Sequence, residues 1–154
     1  MKTWIVNTLW MLALIVVSAL VYVRVAPTNA ESWHIDPTIA TSPGQAGVLV
    51  RPRGGDIEPR SFDLPPEDLL RRLDRIIRDT ARTRVLAGSV AEGRITYVTR
   101  SLVFGFPDYA TVTTVATDTG SAPVILSRLR FGLSDSGVNR ARVTRWLEAL
   151  DQPG

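Results

Sequence analysis

From Trp4 to Val23 the chain reads W-I-V-N-T-L-W-M-L-A-L-I-V-V-S-A-L-V-Y-V, twenty residues without a charge. At roughly 1.5 Å rise per residue, a helix of that length spans about 30 Å, the hydrocarbon thickness of a bilayer. Trp4 and Tyr22 stand near its two ends, where interfacial aromatic residues sit. Residues 1–25 are therefore expected to form a single transmembrane anchor that contacts the membrane through residues 4–23. A cleaved signal peptide is the competing reading, with Thr28 and Ala30 as the small residues before a cut at Glu31. The apolar region of such a peptide runs about 7 to 15 residues, shorter than this one, which favours the anchor. Lys2 and the amino terminus outweigh Arg24 on the far side. The N-terminus is thus expected inside and the domain outside the cytoplasmic membrane. In a Gram-negative cell that is an inner-membrane protein with a periplasmic domain.

Beyond the anchor, seven prolines and four glycines fall between residues 26 and 66. Such density disfavours long regular elements, so residues 26–62 are expected to form a tether followed by an extended wrap. A short strand around Gln45 to Val50 fits within it, and Trp33 and His34 are placed to pack onto the domain.

Residues 63–150 carry the periodic patterns of a folded unit. Pro66 to Thr80 is an amphipathic helix with Pro66 at its first position, Glu67 and Asp68 at its positive end, and Leu69, Leu70, Leu73, Ile76 and Ile77 in one stripe. Glu67 with Arg71, Asp68 with Arg72 and Asp74 with Arg78 form four-residue pairs on its outer face. Four stretches rich in β-branched and aromatic residues follow: Arg84 to Val90, Arg94 to Phe104, Tyr109 to Thr117 and Val124 to Phe131. Glu92-Gly93 and Asp118-Thr119-Gly120 separate them at hairpin spacing, which predicts an antiparallel meander. A last helix carries Val143, Trp146, Leu147 and Leu150 on one stripe. The expected fold class is α+β: an N-terminal transmembrane helix, then a two-layer domain in which two helices cover a four-stranded antiparallel sheet.

Between the last strand and the last helix lies a polar, arginine-rich junction. Period two puts Ile125, Ser127, Leu129 and Phe131 on one side of the strand and Leu126, Arg128 and Arg130 on the other. Ser134, Asp135, Ser136 and Gly137 break the strand and are placed to cap the helix. Asn139 precedes Val143 by one turn, so it falls on the apolar stripe, where an unpaired amide would cost roughly 1 to 3 kcal/mol. One reading makes Asn139 a structural tie to the 134–137 loop. The other joins the loop N–H groups and the helix start to Arg128, Arg130, Arg140 and Arg142 as an anion pocket for phosphate or carboxylate. Arg100, on an apolar strand face, needs a partner, and Asp108 or Asp135 is the expected mate. Arg-Asp pairs that lock the sheet to the last helix are the structural alternative for this group.

The string S-R-x-R-x-G-x-S-D-x-G-V-N-R-A-R-V at Ser127 to Val143 resembles the family catalogued as domain of unknown function 1499. So do Y-V-T-R-S at Tyr97 to Ser101, F-P-D at Phe106 to Asp108 and W-H-I-D-P at Trp33 to Pro37. The resemblance spans about Trp33 to Leu150, departing at Leu129 and Ser136. It implies a fold and a membrane address, and carries no established activity.

Other chemistry is poorly supported. The chain has no cysteine, which removes disulfides, thiolate metal sites and cysteine nucleophiles. One histidine, His34, near the tether, leaves little basis for a Ser-His-Asp set or a zinc cluster. No nucleotide-binding glycine loop occurs, so neither a metal nor a cofactor is expected. The pI of 9.9 arises because almost every base is arginine. With 18 basic and 15 acidic residues the net charge is only +3, which does not suggest a nucleic-acid face. The favoured function is a non-catalytic module in the cell envelope that binds a protein partner or an anionic small ligand. A hydrolase acting on an anionic envelope component is the first alternative, with Asp108 or Asp135 as base. An assembly factor for a membrane complex, contacting another helix through Asn7, is the second.

Overall fold

The structure, a computed structural model, describes residues 2–152. Its first element, α1 (Lys2–Val25), is apolar and largely exposed along its length. It is the one described helix long and apolar enough to cross a membrane. A four-residue helix, α2 (Ala30–Trp33), follows in the extended segment, capped by the Asn29 side chain. Then come β1 (Gly47–Val50), α3 (Pro66–Arg78), β2 (Thr83–Ser89), β3 (Arg94–Arg100), β4 (Pro107–Thr117), β5 (Gly120–Leu129) and α4 (Val138–Asp151).

The α+β class is as expected, but the sheet has five strands, ordered β1-β5-β4-β3-β2 and antiparallel throughout. The added strand is the short apolar run Gly47–Val50, which pairs with Ile125 to Arg128 of β5. Val48, Leu49 and Val50 are all fully buried, so burial on both faces compensates for its brevity. Gly47 lies against β5 so closely that a Cβ would sit 2.0 Å from the Ser127 carbonyl oxygen. Pro123 is tolerated inside β5 because β1 pairs only the stretch from 125 onward, leaving position 123 on a locally open edge.

One face of the sheet meets the helices. Leu69, Leu70, Leu73 and Ile77 of α3, with Val143, Trp146 and Leu150 of α4, pack on Val48, Val50, Ile95, Tyr97, Ala110, Val112 and Ile125. Polar pins set the helix positions: Tyr97 donates from its hydroxyl to Asp74, and Trp146 Nε1 donates to Thr80 Oγ1 at 2.8 Å. Burial, then the Asp74 carboxylate, pushes the Tyr97 hydroxyl far above the ordinary tyrosine range.

The opposite face carries Thr96, Tyr109, Thr111, Leu126 and Arg128, and the extended segment lies across it. Trp33 stacks on Tyr109 with ring centroids 4.0 Å apart, and its carbonyl accepts from Thr111 Oγ1 at 2.8 Å. His34 Nδ1 meets Thr96 Oγ1 at 2.8 Å, while Arg94 Nε donates to His34 Nε2 at 3.4 Å. That pair of contacts assigns the ring proton to Nδ1. Further along, Arg51 Nη1 holds the carbonyls of Thr38 and Ala40.

Two element boundaries differ from the sequence expectation in ways that matter below. The stretch expected as one strand to Phe104 ends at Arg100, and residues 101–106 form a turn closed by Ser101 N to Phe106 O at 2.9 Å. Gly105 takes φ +72° in that turn, a left-handed conformation natural to glycine. The last strand ends at Leu129 instead of Phe131.

Candidate functional site

Of the eight residues expected at the junction, four gather on one face of the sheet, two bind the segment lying across the other, and Arg100 and Arg140 join neither group. Asp108, Asp135, Asn139 and Arg142 gather under the start of α4. Arg142 Nη2 donates to Asp108 Oδ2 at 2.8 Å, with the two side chains 8% and 14% exposed. Asn139, fully buried, accepts through Oδ1 from Ser127 Oγ and from Arg142 Nη1. Asp135 accepts the N–H of Gly137 at 2.9 Å and of Asn139 at 2.8 Å. The helix start therefore already holds an anion, the carboxylate of Asp135, and the loop N–H groups expected to receive a ligand are taken. Burial raises the Asp108 carboxyl above its ordinary value, against the downward pull of Arg142. The Asn139 amide pulls the same way as Arg142 but more weakly, and its Nδ2 closes no hydrogen bond of its own.

Arg128 and Arg130 lie on the other face and bind the extended segment. Arg128 stacks over Trp33 at 4.8 Å and donates to its carbonyl at 3.1 Å. Its Nε is buried without a partner, and burial lowers its pKa from the ordinary arginine value. Arg130 reaches the carbonyls of Ala26 and Pro27 and the hydroxyls of Thr28 and Tyr109. Arg140 is exposed and belongs to neither group. Arg100 does not meet Asp108 or Asp135. Its Nη1 donates to the Gly105 carbonyl at 2.9 Å and its Nη2 to the Arg24 carbonyl at 3.4 Å.

Those last contacts lead to an arrangement the sequence does not announce. A cleft of about 590 Å³ opens beside β2 and β3, lined by Arg24, Arg82, Arg84 and Arg100 together with Val98 and Leu102. No carboxylate lines it, and among the described residues none of the four arginines forms an ion pair. Arg82 stands at φ +58°, a left-handed conformation that costs a non-glycine residue about 1–2 kcal/mol. The strain is held by two bonds to Arg100: its carbonyl accepts Arg100 N–H at 3.1 Å, and its Nε donates to the Arg100 carbonyl at 3.1 Å. Arg24, in the last turn of α1, donates to the carbonyls of Val103 and Phe104, fastening the helix to the 101–106 turn.

The same end of the sheet presents apolar side chains to solvent. Leu102, Val103 and Leu133 are 74%, 68% and 93% exposed. Phe104 is half exposed, and Tyr22 of α1 meets Phe131 edge-on at 6.5 Å. A smaller, apolar notch of about 270 Å³ runs between α1 and the turn, lined by Val17, Leu20, Val21, Arg24, Val103 and Phe104. Sequence reasoning read Leu102 and Phe104 as strand residues. The signal against it was three consecutive apolar residues between Ser101 and Gly105, which breaks period two. Arg82 and Arg84 were not singled out, because nothing in the sequence places them beside Arg24. Among the described residues no three His, Cys, Asp or Glu side chains are grouped so as to hold a metal ion.

Fold and site together define an α+β domain of five strands and two covering helices, preceded by one apolar helix of membrane-spanning length. The chain belongs to the family described as "Protein of unknown function (DUF1499)", which it matches over residues 29–150. It is also similar to protein MLL2253 from Mesorhizobium loti, known from an X-ray crystal structure. The identity is 17% and the TM-score 0.43, over 59% of this chain and 89% of that one. No curated protein matches the chain.

Proposed function

We propose that the chain is a single-pass, membrane-tethered, non-catalytic binding module whose domain rides directly on the bilayer surface. The observation that carries this is the placement of Leu102, Val103, Phe104 and Leu133 at the end of the sheet where α1 joins the domain. Exposed apolar side chains gathered beside a membrane-length helix are favourable in lipid and costly in water. Placing the domain at the periplasmic side of an inner membrane follows from Lys2 and the amino terminus against Arg24. The absence of catalysis is supported by the largely buried Asp108–Arg142 pair and by the commitment of the Asp135 carboxylate to the N–H groups of Gly137 and Asn139, which leaves the groups a hydrolase would need to expose already engaged.

The test uses the natural lack of cysteine. Val103→Cys carries an environment-sensitive fluorophore in the full chain, reconstituted in lipid nanodiscs with lipid-borne quenchers at defined depths. Thr119→Cys, in the hairpin at the opposite end of the sheet, is the control. Strong quenching at 103 and none at 119 supports a seated domain. Equal exposure of both labels to aqueous quenchers refutes it.

A further inference from the structure

The arginine cleft and the apolar notch meet at Arg24, which lines both. One side of this composite site is cationic and the other is the wall of α1 together with Val103 and Phe104. A ligand that fits both parts has an anionic head and an apolar tail. We propose that the site binds one anionic phospholipid, with its phosphate among Arg24, Arg82, Arg84 and Arg100 and an acyl chain along Val17, Leu20 and Val21. This rests on the bilayer-seated reading above, because only a seated domain brings the cleft to headgroup level.

Three features point to a lipid over a free anion. The cleft volume of about 590 Å³ exceeds what an inorganic phosphate fills, and lies in the range of sites for small organic ligands. The four guanidinium groups lack carboxylate partners, and forked N–H donors suit phosphate oxygens. The tail side is a second cavity that shares Arg24 with the cleft and is lined by the last turns of α1 and by Val103 and Phe104. Two of the four arginines, Arg24 and Arg100, are already fixed by bonds to main-chain carbonyls, so part of the cost of ordering them for a ligand is met by the fold. Arg82 is aimed by its left-handed backbone. Arg84 is exposed, and its guanidinium makes no hydrogen bond among the described residues, leaving its donors free for the ligand.

The decisive experiment is native mass spectrometry of the full chain in a neutral detergent. Phosphatidylglycerol, diacylglycerol and glycerol 3-phosphate are each titrated in. The first carries both head and tail, the second lacks phosphate and the third lacks a tail. Phosphatidylglycerol is expected to remain bound one to one, with the other two at least tenfold weaker. Each exposed arginine near a lipid surface contributes about 1 kcal/mol, so Arg84→Gln is expected to weaken binding about fivefold. The Arg82→Gln/Arg84→Gln double variant should lose about 25-fold by the same constant. Arg84→Gln alone keeps the test valid if the double variant folds poorly, since no contact of Arg84 is lost. Equal retention of glycerol 3-phosphate would make the site a free-anion site and overturn the proposal, and equal retention of diacylglycerol would reduce it to an apolar notch and do the same. Unchanged phosphatidylglycerol binding in Arg84→Gln would place the lipid elsewhere. Failure of the depth-quenching test with lipid binding intact would count against the seated domain alone, because the titration is performed in detergent.

Discussion

Replacing Arg142 by methionine leaves the Asp108 carboxylate nearly enclosed, 14% exposed, with its 2.8 Å partner gone. Removing one member of a buried pair costs about 3–5 kcal/mol, because the remaining charge keeps its desolvation penalty and loses its compensation. Asn139 Oδ1 also loses one of its two donors, which adds to the upper end of that range. At about 2–4 °C per kcal/mol, the melting temperature of the full chain in neutral detergent should fall by roughly 10 °C. The loss has a definite pH dependence. Burial already holds the Asp108 carboxyl above its ordinary value, so the folded state binds this proton more tightly than the unfolded chain. The group's contribution to stability therefore falls as pH rises from about 4 through the folded pKa. Without Arg142 that pKa rises further and the falling window extends upward. The gap between variant and parent should accordingly be smallest near pH 4 and widest near pH 7, followed by near-ultraviolet circular dichroism. The double change Asp108→Leu/Arg142→Met removes both charges and should recover most of the loss. A deficit below 1 kcal/mol, or a gap that widens toward acid, would refute this account of the pair.

Further expectations concern the two faces of the sheet. Asn139→Leu strands the Ser127 hydroxyl and one Arg142 donor in a buried site, and should cost about 2–3 kcal/mol in urea unfolding. Trp33→Ala removes the stack on Tyr109 and the Arg128 contact; a loss of about 2–3 kcal/mol and faster proteolysis within residues 26–40 are expected. His34 has its pKa lowered, first by burial and then by Arg94. The folded state thus resists protonation, and the docking of this segment should weaken as pH falls from about 6.5 through the lower folded value. Imidazole proton shifts in an NMR titration would report it, and a midpoint above 6.5 would contradict the lowered pKa. Gly47→Ala sets a methyl against the Ser127 carbonyl and should release the β1 edge, seen as fast amide exchange at residues 48–50.

Much of this architecture was legible because its signals are local. The stripe of α3, the two hairpins, and the alternation that separates Ser127 from Arg128 all depend on neighbours a few residues apart. The short strand expected around Gln45 to Val50 is present, but its pairing with β5 was not legible, since four residues between prolines and glycines carry no register and the partner lies about eighty residues on. At the junction, residue types were read correctly as polar and arginine-rich, but convergence was not readable. Period two already put Arg128 opposite Ser127, and hence opposite Asn139. Asp135 competes, as a carboxylate three residues before a helix, for the same N–H groups an external anion would use. Arg24, Arg82 and Arg84 come together only through tertiary packing, and no spacing rule links them.

The segment that leaves α1 has no slack. Arg130 takes the carbonyls of residues 26 and 27, Tyr109 and Arg128 take Trp33, Thr96 takes His34, and Arg51 takes residues 38 and 40. A free linker of fifteen residues would let a domain roam about 20 Å from its anchor. Pinned in this way, the domain has almost no reach. On the proposed bilayer-seated reading, whatever it meets must come to it at the height where α1 ends, and a larger partner has to be embedded in the same plane or stand close against it.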